Sequence, residues 1–465
     1  MSGAKKAAMW FGIVLGGLIV LLILCRIALG VIFGAQLRNT IAELKKQGKL
    51  PPIEEVIPKP VPDDQNAALP LNQAFTFMTM GEGGKPYVPN EDAGTSSKVA
   101  HTLEKAAWVK DFQWSTEQAA EVRKALDSPE MQNVLKCVAE AAGKPACNFN
   151  LSYKDGPGMV MMPMPHLRKM WEVAWVLAVK AVVEARAGQT DQALDTVALG
   201  LRMGNHLKTE PILISQLVRV AVDTTMLGAL QEVARAETIP VEKAAALVNE
   251  LSTHGDPAPF VRSLNGERML FEWVMATVNA GKVDELASLG IPTTGSESGS
   301  FFSGLALRAA ATCYSPILKR DYAAYLRLIS RIGDLWLEPY YRVAQVPGNL
   351  DFKQQIPSYA LLTRLLIPML GHVTELIARH QAYVDVARVG LALKLAKQAD
   401  GAFPERMDKL VPRYLDKVPP DPFTGKELIY RPSKDAFILY SIGPNLKDDG
   451  GRWDDRTDYD IVWKE

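Results

Sequence analysis

The sequence predicts a mainly α protein in three parts: an N-terminal transmembrane helix, an irregular helical-bundle body, and a small C-terminal α+β module. Three observations carry this. One uncharged apolar run sits near the N-terminus. Segments with apolar residues at spacings of three and four fill the middle. Alternating, Tyr/Phe/Ile/Leu-rich stretches appear only after residue 425. The 465 residues carry 52 Lys+Arg and 52 Asp+Glu. A balanced charge argues against a chain-wide nucleic-acid binder, which carries a basic excess. The zero hides a gradient. Residues 1–50 hold seven basic side chains and one acid, whereas 444–465 hold seven acids and four bases.

Met9–Cys25 reads MWFGIVLGGLIVLLILC, and apolar residues resume after Arg26 as far as Phe33. About 17–25 apolar residues suffice to span a bilayer, so residues 9–33 are expected to be the anchor, behind a short tail at 1–8. The alternative is a cleaved signal peptide with Ala28 and Gly30 as the small residues before the cut. Lys5 and Lys6 favour an N-terminus in the cytoplasm and an exported body; Arg38, Lys45, Lys46 and Lys49 argue the other way. Residues 34–70 include LPPIEEVIPKPVPDDQNAALP and are expected to form a stiff proline-rich linker.

The body is expected over 71–370. Thr102–Asp127 has helical composition, and Ser128-Pro129 starts another helix. Leu167–Ala187 has Met170, Ala174, Leu177, Ala181 and Val182 on one face, and Gly188 ends it. Asp191–His206, Ile212–Ala236 and Pro240–Thr253 follow as helices with short connections, hence antiparallel neighbours. The turn at Gly188 does not recur at the tetratricopeptide period, so no repeat array is expected. Gly281–Ser300 reads as an exposed loop. Asp321–Leu337 is a clear helix, and Tyr359–Leu370 a buried segment and not a second span.

Catalytic motifs fail on their residues. Gly295–Gly299 has Glu297 where a nucleophile elbow needs Ser. Gly81–Lys85 lacks the phosphate-loop spacing. There is no HExxH, and the six histidines are scattered. Without a CxxC, zinc ribbons are unsupported. Cys137 and Cys147 are ten apart and are either a disulfide or two buried thiols. Glu172, Glu184, Arg219 and Asp223 sit on apolar helices and would form a site only if they converge. No catalytic residue is assigned.

The last part, 371–465, starts with a long helix from His372 to Asp400, stopped by Gly401 and Pro404. Glu427–Arg431 and Ala436–Ser441 are expected strands around a Pro432–Asp435 hairpin loop. The order Gly401-Ala402-Phe403-Pro404, Met407–Tyr414, Val418-Pro419-Pro420-Asp421-Pro422-Phe423, Gly425, Tyr430, Ser441-Ile442-Gly443-Pro444-Asn445 and Asp460-Ile461-Val462-Trp463 resembles the globular domain of the major pseudopilin of type II secretion. The anchor, helical body and tail together also look like a family of uncharacterised bacterial envelope proteins.

The resemblance implies a calcium site near Asn445, Asp448, Asp449, Asp454, Asp455, Asp458 and Asp460, with Asp458 and Asp460 favoured because they adjoin the matching terminal segment. Calcium takes six to eight oxygens, and six aspartates fall within 448–460. Asn445 stands where that family commonly has Asp. The span also lies far upstream of the module, without the pseudopilin cleavage site, so a polymerising pilin is not expected. The expected whole is a single-pass protein of the bacterial inner membrane. It contacts the membrane through residues 9–33, holds its body in the periplasm and binds proteins, not nucleic acid. The alternative is an envelope hydrolase with its site in the body.

Overall fold

The computed structural model describes residues 3–79, 98–153, 164–280, 301–452 and 459–463. Sixteen α-helices and one three-stranded sheet occur among them, which is the mainly α architecture the periodicities predict. The expected loop at 281–300 lies outside the described residues.

The first helix is longer than the anchor. It runs from Gly3 to Lys46, 44 residues, which is about 66 Å at ~1.5 Å per residue. Large apolar residues from Met9 to Ile32 are exposed, whereas Leu44 is buried. The expected linker is therefore mostly not a linker. Residues 34–46 continue the anchor helix into the body. The proline-rich stretch beyond it is fastened down: Arg268 donates to the Pro51 carbonyl at 3.1 Å, and Val56, Ala67, Ala68 and Leu71 are buried.

Local rules explain most helix boundaries. Ser128 accepts from the Met131 N–H with Pro129 in the first turn. The continuous helix expected over Thr102–Asp127 is instead two, Lys98–Ala107 and Thr116–Leu126. Ser115 and Gln118 form a reciprocal capping box that restarts the chain after a turn. Pro165–Arg186, Thr190–Asn205, Leu213–Val233 and Val241–Leu251 match the expected helices closely. They bury Met170, Leu177, Leu201, Met226, Leu230 and Leu251 in one core. Leu213–Val233 has the hydropathy of a membrane span, but most of it is buried inside the body.

A second core lies next to the first helix and contains Leu44, Phe260, Phe271, Tyr322, Tyr325 and Trp336. The helix Pro368–Asp400 joins the two: Val373 and Ile377 belong to the second core, Ala378 to Ala396 to the first. Because Leu439, Ile461 and Trp463 also belong to that first core, the C-terminal module is continuous with the body.

The sheet order is β1 (Ile429–Pro432), β2 (Phe437–Ser441), β3 (Ile461–Trp463), antiparallel throughout. The expected hairpin is present, and β3 completes it. Gly390 is what lets the sheet approach the long helix, because a Cβ there would lie 2.4 Å from the Trp463 ring. Gly401, at φ +79°, ends the helix in the left-handed conformation.

Candidate functional site

The apolar helix Leu213–Val233 carries Gln216, Arg219 and Asp223 at spacings of three and four, hence on one face. Arg219 and Asp223 are fully buried. Burying an isolated charge is costly unless it is paired and hydrogen-bonded, and the fold supplies partners from three other segments.

The Asp223 carboxylate is the hub. His380, from Pro368–Asp400, meets Oδ2 through Nε2 at 2.9 Å. His254, just after Val241–Leu251, places Nδ1 3.2 Å from Oδ1. Arg219 Nη1 lies 3.7 Å from Oδ2. Around this hub, Asn205 Nδ2 lies 2.9 Å from His254 Nε2. With that amide donating, Nδ1 of His254 is the other ring nitrogen, close to Asp223 Oδ1 but without a hydrogen bond to it. Arg219 donates to Gln216 Oε1 at 3.1 Å and to the His254 carbonyl at 3.2 Å.

Burial opposes ionisation of Asp223, yet His254 and His380 outweigh it and hold the carboxyl well below the usual carboxylate range. Burial pushes His380 below the ordinary imidazole value, only partly offset by Asp223.

His380 also lines a cleft of about 660 Å³, together with Trp108, Trp171, Trp175, Leu376 and Tyr383. The cleft lies between the Trp108 turn and the helices Pro165–Arg186, Leu213–Val233 and Pro368–Asp400. Trp171 and Trp175 have ring centroids 4.9 Å apart, and Trp108 packs edge-on to Trp175 at 5.7 Å. Trp108 is 65% exposed. The Arg168 guanidinium stands 5.7 Å from the Trp175 ring centre. The site is thus an aromatic surface over a buried ionic floor.

Of the body residues singled out in the sequence, Arg219 and Asp223 converge, and Glu172 and Glu184 do not join them. Glu172 is held by Arg168 and Lys169 at 2.8 and 2.9 Å. Glu184 is held by Lys180 and accepts from the Thr196 hydroxyl at 2.7 Å. His254 and His380 are the residues sequence reasoning passed over. His380 contacts a carboxylate 157 positions away, which no local spacing reveals. The only sequence signal was the polar stripe Gln216–Arg219–Asp223 on an otherwise apolar helix. A second buried pair, His166 with Glu210 at 3.0 Å, was also not foreseen. Cys137 and Cys147 are free buried thiols, so the disulfide reading gives way to the other one.

In the terminal loop, Asp460 accepts from the Gly451 N–H at 2.7 Å and the Asp449 N–H at 3.4 Å. Asp448 Oδ1 accepts from the Tyr440 hydroxyl and the Gly450 N–H. Asn445 Nδ2 donates to Asp449 at 2.7 Å. These carboxylates are thus satisfied by loop amides and hydroxyls. Asp454, Asp455 and Asp458 lie outside the described residues. Among the described residues, no group of three or more His, Cys, Asp or Glu side chains is arranged to hold a metal ion.

No protein-family model, curated protein or solved structure matches this chain.

Proposed function

We propose that this is a membrane-anchored binding protein of the cell envelope, whose helical body receives a protein partner at the tryptophan cleft. The observation that carries the reading is the cleft itself. Trp, Tyr and Arg are the side chains that dominate protein-binding energetics, and here Trp108, Trp171, Trp175 and Tyr383 line one surface with Arg168 and Arg379 beside them. The ionic cluster beneath holds two of the cleft-forming helices in register. The exposed apolar stretch Met9–Ile32 supports insertion in a membrane, and the Lys5–Lys6 pair supports an exported body.

A photo-reactive residue at position 108, in the full chain in cells, tests this. A discrete protein adduct that disappears with Trp171→Ala is the expected result. Adducts no different from those at an exposed control such as Glu117 would count against it.

One observation favours a second reading, an envelope hydrolase. A carboxylate-oriented imidazole, Asp223–His380, reaches the cleft floor, an arrangement suited to general-base catalysis. Turnover by the purified protein that His380→Gln abolishes, with its fold intact, would establish that reading and displace the first.

The C-terminal sheet on its long helix supports the pseudopilin-like reading of the tail. We propose that any calcium bound there is held by residues among Asn445, Asp448, Asp449, Asp454, Asp455, Asp458 and Asp460, with Asp458 and Asp460 favoured. Binding to the folded state raises stability by mass action, so thermal unfolding with calcium and with chelator should differ. Coincident curves at millimolar calcium would sink the site.

A further inference from the structure

We infer that Arg38, Lys319 and Arg320 hold the phosphate of an anionic phospholipid at the point where the exposed apolar run ends; this rests on the reading of Met9–Phe33 as the membrane span. Arg38 belongs to the first helix, and Lys319 and Arg320 to the helix Phe301–Leu337.

The two helices are fixed against each other on either side of this point. Lys49 Nζ lies 2.5 Å from Asp334. A Cβ on Gly34 would lie 3.5 Å from Arg38 Nη1 and 3.9 Å from Lys319 Nζ. One offset of 285 positions relates both Lys49 to Asp334 and Gly34 to Lys319, so a single register holds over this stretch. Residue 34 has no side chain, and the two cationic groups converge over its backbone. Arg320 stands beside them. Its guanidinium is 5.2 Å from the Phe33 ring centre and 3.9 Å from that of Tyr359. Contact with the rings orients the guanidinium and leaves its five N–H donors without an acceptor.

The lack of a counter-charge sets these three apart. Lys49, on the same pair of segments, has Asp334. Among the described residues, Arg38, Lys319 and Arg320 make no side-chain hydrogen bond and no ion pair. The neighbouring carboxylate, Asp321, is already engaged by the Leu362 N–H at 2.9 Å and the Thr363 hydroxyl at 2.6 Å. Like charges gathered without an acid repel one another, and their donors stay available to an anion from outside.

The level of the site decides which anion. Large apolar residues are exposed from Met9 to Ile32, and Gly34 and Arg38 follow within about two turns. With the run in the bilayer, these groups stand at headgroup height. Basic pockets between helices at that boundary take anionic headgroups, and guanidinium donors match phosphate oxygens. A choline headgroup brings a cation of its own, which three basic side chains disfavour. The ligand class is therefore an anionic phospholipid.

The full chain in a neutral detergent provides the test, with phosphatidylglycerol, phosphatidylcholine or inorganic phosphate added in turn. Binding to the folded state raises the melting temperature by mass action. The expected result is a rise with phosphatidylglycerol at least several-fold larger than with either of the others. An equal rise with phosphatidylcholine would reduce the contact to acyl chains and overturn the inference. An equal rise with inorganic phosphate would overturn phospholipid as the occupant. Arg38→Gln combined with Lys319→Gln should bring the phosphatidylglycerol rise down to the phosphatidylcholine one; each chain is compared with itself, so a change in basal stability does not affect the reading. A preference that survives both substitutions would also overturn the inference. Alkaline carbonate extraction of the full chain from liposomes reads the anchor separately. Retention in the membrane without a headgroup preference would remove the phosphate site alone, whereas release would remove the anchor and the site with it.

Discussion

The protein satisfies acidic side chains by different means at the centre of the body and at its C-terminal sheet. At the centre of the body, one carboxylate, Asp223, is reached by His254, His380 and Arg219 from separate segments. At the C-terminus, Asp448, Asp449 and Asp460 lie close in sequence, and backbone N–H groups, the Tyr440 hydroxyl, Asn445 and Arg431 from the neighbouring strand satisfy them. The central acid depends on tertiary structure, because its partners arrive only when the helices assemble. The terminal acids depend mainly on local loop geometry. Damage to the first should therefore spread through the fold, whereas damage to the second should stay near the sheet.

The sharpest test of that difference is Asp223→Ala. It leaves Arg219 without its carboxylate in a dry interior, and breaking such a pair costs about 3–5 kcal/mol. Chemical denaturation should show a loss of that order. A loss under about 1 kcal/mol would mean that the centre is as local as the loop.

Asp460→Ala is the matching change at the other end. Asp460 is buried and accepts two backbone N–H groups. Leaving a buried donor unsatisfied costs about 1–3 kcal/mol, and these two N–H groups are partly buried, which puts the loss at the low end. The loss should be smaller than for Asp223→Ala, and hydrogen exchange should rise around 437–463 while the helices Pro165–Arg186 and Leu213–Val233 keep their protection. Faster exchange in those helices would erase the distinction.

The smallest effect is acid sensitivity. Burial lowers the pKa of His380 in the folded state, so the unfolded chain binds more protons just below its ordinary value near 6.5. Stability from this residue is present above that value. It falls as pH drops from about 6.5 to the depressed folded value, then levels off. Unfolding free energy measured between pH 7.5 and 5 should decline, and His380→Gln should flatten the decline. A slope unchanged by that substitution would assign the effect to other groups.

These two regions also mark how far the sequence could be read. The terminal aspartates are visible as a cluster because they are neighbours in the chain, yet their partners, half of them backbone N–H groups, leave no trace in composition. The body helices are legible because Ser128-Pro129, Gly188 and Gly401 punctuate a 3.6-residue periodicity. The split at Trp108–Ser115 was missed because flanking residues of good helix propensity mask a capping box. Arg219 and Asp223 stood out as charges on an apolar helix. His254 and His380 did not, because convergence across distant segments is a property of packing, which spacing does not encode. The proline-rich stretch misled for a related reason: prolines signal extended backbone, and extended backbone lies against a surface as readily as it bridges two domains.

The helix Gly3–Lys46 has a mechanical consequence. No hinge separates its exposed apolar half from the half locked into the second core, so the body is mounted on a rod and not hung from a tether. A helix adjusts to a thinner bilayer by tilting, and here that tilt would be handed to the body without loss. On the proposed membrane-anchored reading, the height and heading of the tryptophan cleft above the bilayer would then vary with bilayer thickness, and the composition of the surrounding membrane would control what the cleft could reach.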